Sequence, residues 1–255
     1  MNEALAADTD QKQPLVEHMT ELRNRLLYCV AFIGIVFMGL FYFANDLYTI
    51  LSEPLRAHLP ETTSMIATEV TSPFLTPMKL SFVVAIFMSM PFIFYQIWQF
   101  VKPALKRNEI SLAFPLITSS IVLFYLGISF AYFIVFPLVF GFFTQVAPEG
   151  VSVMTDIASY LNFVIKLFFA FGFAFEIPIA AILLILTGVT TRESLAQKRP
   201  YVFIGCFVLG MLLTPPDILS QFLLAIPMWL LFELGLVMSL LVSRQHQKTE
   251  DRTST

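Results

Sequence analysis

Residues 168–186 read FFAFGFAFEIPIAAILLIL, an apolar run that is interrupted by one acid, Glu176, and by Pro178 two residues later. A helix of roughly 20 residues crosses the ~30 Å hydrocarbon core of a bilayer. A charged side chain at the centre of such a helix costs about 3 kcal/mol, and a proline inside it removes a backbone hydrogen bond. The stretch therefore predicts a membrane-spanning helix with a local defect, and an acid whose cost is offset by some partner.

The composition of the whole chain also indicates a membrane protein. Of the 255 residues, 57% are hydrophobic and 13% are charged, whereas soluble domains carry about 25% charged residues. The formal net charge is only −3, and the charged residues lie in short polar segments between long apolar ones. Nucleic acid is therefore not expected as a partner.

Six apolar segments predict an all-α integral membrane protein with six transmembrane helices. The segments are Leu26–Ala44, Pro77–Phe100, Ala113–Phe143, Ile157–Thr187, Pro200–Leu213 and Ile218–Val242. The fifth segment would cover only about 21 Å as a helix, which requires a locally thinned bilayer or shielding by its neighbours. We expect spans five and six to be short.

Basic residues predict the orientation of these spans. Twelve of the fifteen Lys and Arg lie, three each, before span one, between spans two and three, between spans four and five, and after span six. By the positive-inside rule, both termini and these two loops are cytoplasmic. No cleavable signal peptide is expected, because the first 25 residues are polar.

The remaining polar segments complete a single predicted domain over residues 1–255. Residues 1–25 form a cytoplasmic segment that contains an amphipathic interfacial helix beginning near Pro14. Residues 243–255 form a polar cytoplasmic tail. The longest outer loop, Asn45–Thr76, contains several prolines, including Pro54, which favours a folded cap over a flexible linker.

The chain lacks the residue patterns of common catalytic and metal sites. Its three histidines, His18, His58 and His246, lie far apart and outside the spans, and no nucleophile, zinc or phosphate-binding motif occurs. An intramembrane hydrolase is therefore not expected, nor is a bound metal or other cofactor.

Two cytoplasmic acids each allow two interpretations. Glu21 can form an ion pair with Arg25 one helical turn later, or it can act as a binding carboxylate. Glu109 can be a first-turn acid favoured by the start of the third span, or a second binding carboxylate. Phe100 reads as one more aromatic residue of an interfacial belt.

Taken together, these segments resemble the TatC family, the multispanning subunit of the twin-arginine protein translocase. The resemblance covers nearly the whole chain and is carried by strings that occur in order. They include HMTELRNRLL (18–27), MIATEVTSPFLTPMKLSF (65–82), YQIWQFVKPAL (95–105), FAFGFAFEIPIA (169–180), KRPYVFIGCFVLGMLLTPPD (198–217) and LLAIPMWLLFELG (223–235).

The resemblance implies a receptor for the paired arginines of a signal peptide. Glu21 and Glu109 match the family's binding acids, Phe100 matches an aromatic residue beside them, and Arg23 matches the arginine of the family motif. Two separated carboxylates suit two arginines, because a guanidinium donates a planar fork that lysine lacks. The two residues after Glu109 are uncharged, which departs from the family pattern and leaves a role for flanking positive charge open.

The resemblance also implies partners in the membrane. Glu176 matches an acid that faces a concave groove and contacts the single-span subunits TatA and TatB, and Met211, Thr214 and Gln221 match a polar patch that receives them. Two alternatives for Glu176 stay open. It can be a buried structural acid bonded by neighbouring spans, or the coupling carboxylate of an ion-coupled small-molecule transporter.

Further expectations concern geometry and location. The turn TPPD, which ends at Asp217, predicts that span six starts at the same depth as span five ends, so that Glu233 reaches the cytoplasmic interface. Lys166 has no assigned role. The resemblance implies a multi-copy complex in the bacterial cytoplasmic membrane, in contact with lipid, that exports folded cargo by using the proton-motive force.

Overall fold

The structure, a computed structural model, describes residues 2–56, 65–102, 113–145, 155–213 and 218–253. Within these ranges the chain is built from ten α-helices. They are α1 (Asn2–Leu40), α2 (Ala44–Arg56), α3 (Ser72–Val101), α4 (Ala113–Phe130), α5 (Phe136–Gln145), α6 (Ile157–Ala174), α7 (Ile177–Leu186), α8 (Arg192–Gln197), α9 (Arg199–Leu213) and α10 (Ile218–Thr253). A 3₁₀ turn, Phe41–Phe43, joins α1 to α2, and a π-helical turn, Ala131–Val135, joins α4 to α5.

Five of the helical stretches are long and apolar enough to span a membrane. They are Met19–Glu53, Ser72–Val101, Phe114–Gly141, Ile157–Leu186 and Gln221–Met238. A sixth apolar helix, Arg199–Leu212, is shorter. The all-α membrane class is therefore confirmed with five spanning helices, and the short fifth segment is helical over α9.

The N-terminal part of the chain is helical farther than the prediction had it. Helix α1 runs unbroken from Asn2 to Leu40 and includes the segment for which an interfacial helix from Pro14 was predicted. In addition, Pro54 lies in α2 and not in a loop. The helix extends this far because Leu51 and Ser52 are buried, which stabilises an amphipathic continuation of the span.

The main core is an aromatic cluster between α3, α4 and α6. The ring of Phe124 lies edge-on to Phe87 and to Phe94, with centroid distances of 5.7 and 5.8 Å. Gly127 allows α4 to cross α6 closely, because a Cβ at this position would lie 2.5 Å from the carbonyl oxygen of Phe171. The backbones of α4 and α6 therefore approach each other closely at this crossing.

At one end of the bundle, which we name the cap end, the loop before α3 is fastened to the start of α6. The amide of Ile66 donates to the Thr155 carbonyl (3.1 Å), and the amide of Ile157 donates to the Ile66 carbonyl (2.9 Å). Asp156 caps α6 by accepting from the Ser159 amide, and it also accepts from the amide and hydroxyl of Thr68. The described part of the predicted cap, residues 65–71, is thus held to the bundle through Asp156.

The same hydrogen bonds perturb the carboxyl group of Asp156. The Ser159 amide, followed by the Thr68 amide, favours the ionised form and lowers its pKa from 3.8 to about 2. Asp156 is therefore a carboxylate throughout the physiological range.

Helices α1 and α3 pack antiparallel between Arg25 and Phe37 of α1. Phe37 lies edge-on to Phe82, Phe32 stacks on Phe92 at 4.6 Å, and Arg25 bonds to Gln96. The start of α1 and the end of α3 therefore lie at the same end of the bundle. We name this end, which holds Arg25 and Gln96, the charged end.

Candidate functional site

At the charged end, Glu21 and Arg25 form an ion pair across one turn of α1. The Nε of Arg25 donates to Oε1 of Glu21 at 2.9 Å, and a terminal nitrogen of Arg25 donates to the same oxygen. The other terminal nitrogen donates to Oε1 of Gln96 on α3 at 3.0 Å. Both bonds from Arg25 fall on a single carboxylate oxygen, so the second oxygen of Glu21 retains its capacity to accept.

The packing of α1 against α3 places Glu21 level with Phe100. Arg25 and Gln96 are in contact, and Glu21 and Phe100 each lie four residues farther toward the charged end. Four residues correspond to about 6 Å of helix, so both side chains lie one turn beyond that contact. The structure therefore brings two of the predicted binding residues to the same level.

Of the other two predicted binding residues, Arg23 lies in the described part of the chain and Glu109 does not. Arg23 is exposed and lies two positions from Glu21 on α1, a spacing at which side chains point in different directions. Glu109 lies outside the described residues.

Glu176 lies at the break between α6 and α7. Helix α6 ends at Ala174, α7 starts at Ile177, and Pro178 occupies its first turn. The helix defect predicted from Pro178 is thus present, and the proline is placed where its missing N–H costs little.

The carboxyl group of Glu176 is incompletely bonded. Its Oε1 atom is buried and has no hydrogen-bond partner among the described residues, while Ser120 of α4 is its polar neighbour. Lys166 is exposed and lies about 15 Å away along the helix axis, too far for an ion pair. One carboxyl oxygen of Glu176 is therefore without a partner in the described part of the chain.

Met211 and Gln221 lie together in an open groove between α9 and α10. The groove has a volume of about 430 Å³ and is otherwise apolar, with Phe203, Phe207 and Phe222 on its walls. Met211 is half exposed. Thr214 and Asp217 lie outside the described residues.

Sequence reasoning missed one ion pair of the charged end. Arg199, at the start of α9, donates to both carboxylate oxygens of Glu233 on α10, at 2.8 and 3.0 Å. The sequence did contain an indication of this pair. If the fifth and sixth spans form a short hairpin, Glu233 lies opposite Arg199, which begins the fifth span. Glu233 is level with the start of α9, as the hairpin argument predicted.

Comparison with known proteins adds to this geometry. The family profile described as "Sec-independent protein translocase protein (TatC)" matches residues 17–227, which include α1 from before Glu21 and α10 through Pro227. The chain belongs to the TatC family. The resemblance inferred from the sequence strings is thereby confirmed.

Relatives in this family are similar over most of their length. A protein from Azotobacter chroococcum named Sec-independent protein translocase protein TatC is 58% identical over 228 residues, covering 89% of each chain. The protein of the same name from Escherichia coli K12 is 56% identical over 230 residues, covering 90% of this chain and 89% of the relative.

The fold of the family agrees with the architecture described above. A crystal structure of the twin-arginine translocase receptor TatC superposes with a TM-score of 0.79 at 37% identity, covering 89% of this chain and 99% of that one. Membership makes the chain a core component of the Sec-independent protein translocase, which is not a known enzyme family. The alternative of a small-molecule transporter is set aside on this ground.

Proposed function

We propose that this chain is the receptor subunit of a twin-arginine translocase and that Glu21 and Glu109 bind the two arginines of a signal peptide. The observation that carries the proposal is the Glu21 carboxylate, which lies at the charged end level with Phe100 and keeps one oxygen free of Arg25. Its side chain is 37% exposed, so a peptide from the aqueous phase can reach it. Phe100 supplies an apolar surface for the peptide, and Arg23 orients the surrounding segment.

The proposal includes a topology. Six spans, with α9 as a short fifth span, place the charged end and both termini in the cytoplasm of a bacterium and the cap end outside the cytoplasmic membrane. In its support, Glu21, Arg25, Arg199 and Glu233 all lie at one end of the bundle, where basic residues favour the cytoplasmic side.

The proposal also includes partners within the membrane. Glu176 offers a buried, unbonded oxygen, and Met211 and Gln221 line an open groove, so single-span TatA- and TatB-type helices have both polar and apolar surfaces to contact. We assign Thr214 to the same patch and Asp217 to the turn beside it. Lipid and further copies of the chain contact the remaining apolar surface in a multi-copy complex.

The test is binding of a twin-arginine signal peptide to the purified protein at physiological salt. Glu21→Gln and Glu109→Gln each weaken binding, because a neutral amide forms a weaker bond to guanidinium than a carboxylate does. Glu193→Gln is the matched control, since Glu193 is an exposed acid of α8 outside the proposed site. If the double variant at 21 and 109 binds as tightly as the parent protein, the proposed function is wrong.

A further inference from the structure

The arrangement around Glu21 already contains an arginine. The Arg25 guanidinium donates twice to Glu21 and once to the side chain of Gln96, so its three nitrogens are all engaged within the protein. Its side chain is 23% exposed, less than the acid it contacts. A charged guanidinium held by a carboxylate and an amide oxygen is the arrangement that a receptor for arginine offers its ligand.

We propose that Arg25 is an internal competitor that occupies Glu21 until an arginine of the signal peptide displaces it. The inference rests on the proposed function and concerns regulation of that same site. In the free protein, Arg25 occupies and neutralises Glu21. In the bound protein, the peptide arginine takes the two-bond contact with Glu21.

The contact is weak enough to be exchanged. Arg25 and Glu21 are four residues apart on one helix and both are partly exposed, and ion pairs of this kind contribute little to stability because water and salt screen them. A peptide arginine forms the same bonds from a more favourable position when its neighbouring arginine is bound elsewhere on the receptor. Arg25 keeps its bond to Gln96 after displacement, so it does not lose all of its partners.

Competition of this kind raises the peptide concentration needed for binding and leaves the preference for arginine over lysine unchanged. Displacement of Arg25 weakens every ligand by the same factor, whether the ligand carries arginine or lysine. Lysine donates as a point charge and cannot form the planar two-bond contact, so its affinity is already lower. The same factor then raises the Kd of lysine peptides above their working concentration, while the Kd of arginine peptides stays below it.

The proposal predicts that removal of Arg25 strengthens binding. Arg25→Met retains an unbranched apolar stem and removes the guanidinium, and we expect it to bind a twin-arginine peptide roughly threefold to tenfold more tightly than the parent protein. A peptide with two lysines gains by the same factor. In the Glu21→Gln background, Arg25→Met has no effect, because the acid for which Arg25 competes is absent.

The matched control removes an equal charge that does not contact Glu21. Lys102 is exposed at the end of α3, close to the level of Phe100, and Lys102→Met tests long-range repulsion alone. A second variant, Arg25→Lys, keeps the charge and loses the fork, and we expect a smaller gain in affinity. Thermal unfolding of each purified variant verifies that it is folded. If Arg25→Met does not fold, Arg25→Lys provides the test.

The outcomes separate this inference from the proposed function. If the parent protein binds arginine and lysine peptides equally, or if Glu21→Gln binds like the parent, the proposed function fails. If those results hold but Arg25→Met binds no more tightly than the parent, only the competitor is refuted. The same conclusion follows if Lys102→Met gains as much as Arg25→Met, because the effect is then general electrostatics.

Discussion

Arg199 and Glu233 are 34 positions apart in sequence, yet their side chains form a two-bond ion pair that joins the start of α9 to α10. Helix α9 is 15 residues long, and Glu233 lies 15 residues after Ile218, the first residue of α10. The two helices therefore form a hairpin of matched length. The pair marks the level at which α9 begins.

The first prediction concerns the strength of this pair. The side chains of Arg199 and Glu233 are 48% and 24% exposed, so a double-mutant cycle with Arg199→Gln and Glu233→Gln gives a coupling of about 1 kcal/mol or less. Thermal unfolding in detergent at two salt concentrations measures it. The exchanged pair, Arg199→Glu with Glu233→Arg, should restore most of the stability that each single substitution removes. A coupling above about 3 kcal/mol would instead indicate a buried pair.

The second prediction concerns the depth of Glu233 in the bilayer. In a background without Cys29 and Cys206, a cysteine at position 233 reacts with a membrane-impermeant thiol reagent from the cytoplasmic side. A cysteine at Ile226, which is exposed on α10 two turns closer to the cap end, stays unreactive because lipid covers it. Equal reactivity at both positions would contradict the short span.

The third prediction concerns pH and the cap. Since the pKa of Asp156 is lowered to about 2, the stability it contributes is fully present above pH 4 and is lost as pH falls toward 2. The protection factors of the Ile66 and Thr68 amides against hydrogen exchange should fall over that range. Asp156→Asn retains an oxygen that caps the helix and abolishes this residue's pH dependence, and unchanged dependence in the variant would assign the effect to another group.

The fourth prediction concerns Glu176. Because its Oε1 atom is buried without a partner in the described chain, Glu176→Leu leaves the thermal stability of the isolated subunit unchanged or raised. The same variant should lose co-purification with single-span TatA- and TatB-type subunits. Ser120→Ala, which keeps the carboxyl group, serves as the control and retains the partners. A marked drop in the unfolding temperature of Glu176→Leu would instead show a structural acid.

The fifth prediction concerns the crossing of α4 and α6. A methyl group at Gly127 meets the Phe171 carbonyl oxygen at 2.5 Å, and neither backbone can move without disturbing the core. Gly127→Ala should therefore lower the free energy of unfolding by about 1–3 kcal/mol. Gly34→Ala on α1 has no neighbouring atom within 4 Å and is the matched control, expected to be neutral or slightly stabilising.

Much of the architecture can be predicted from local sequence patterns. Long apolar runs mark the spans, and Pro178 marks the break beside Glu176, because bilayer thickness and the missing N–H of proline act within a few residues. The continuation of the first span into α2 could not be predicted in this way. It depends on burial of Leu51 against the bundle, which is a tertiary contact.

The candidate site was predictable only in part. An ion pair between Glu21 and Arg25 follows from their spacing on one helix, and the structure confirms it. The third member, Gln96, lies 71 positions away, and its contact depends on the register between α1 and α3. The pairing of Arg199 with Glu233 also joins two helices, and in the sequence only the matched lengths of α9 and the start of α10 indicate it.

Helix α1 makes most of its contacts with α3, and few of the residues in its apolar stretch are buried. Aromatic contacts such as Phe32 with Phe92 hold the two helices together, and each pair of this kind contributes about 0.5–1.5 kcal/mol. If Glu21 binds a ligand as proposed, force on α1 therefore reaches the rest of the bundle mainly through its contacts with α3.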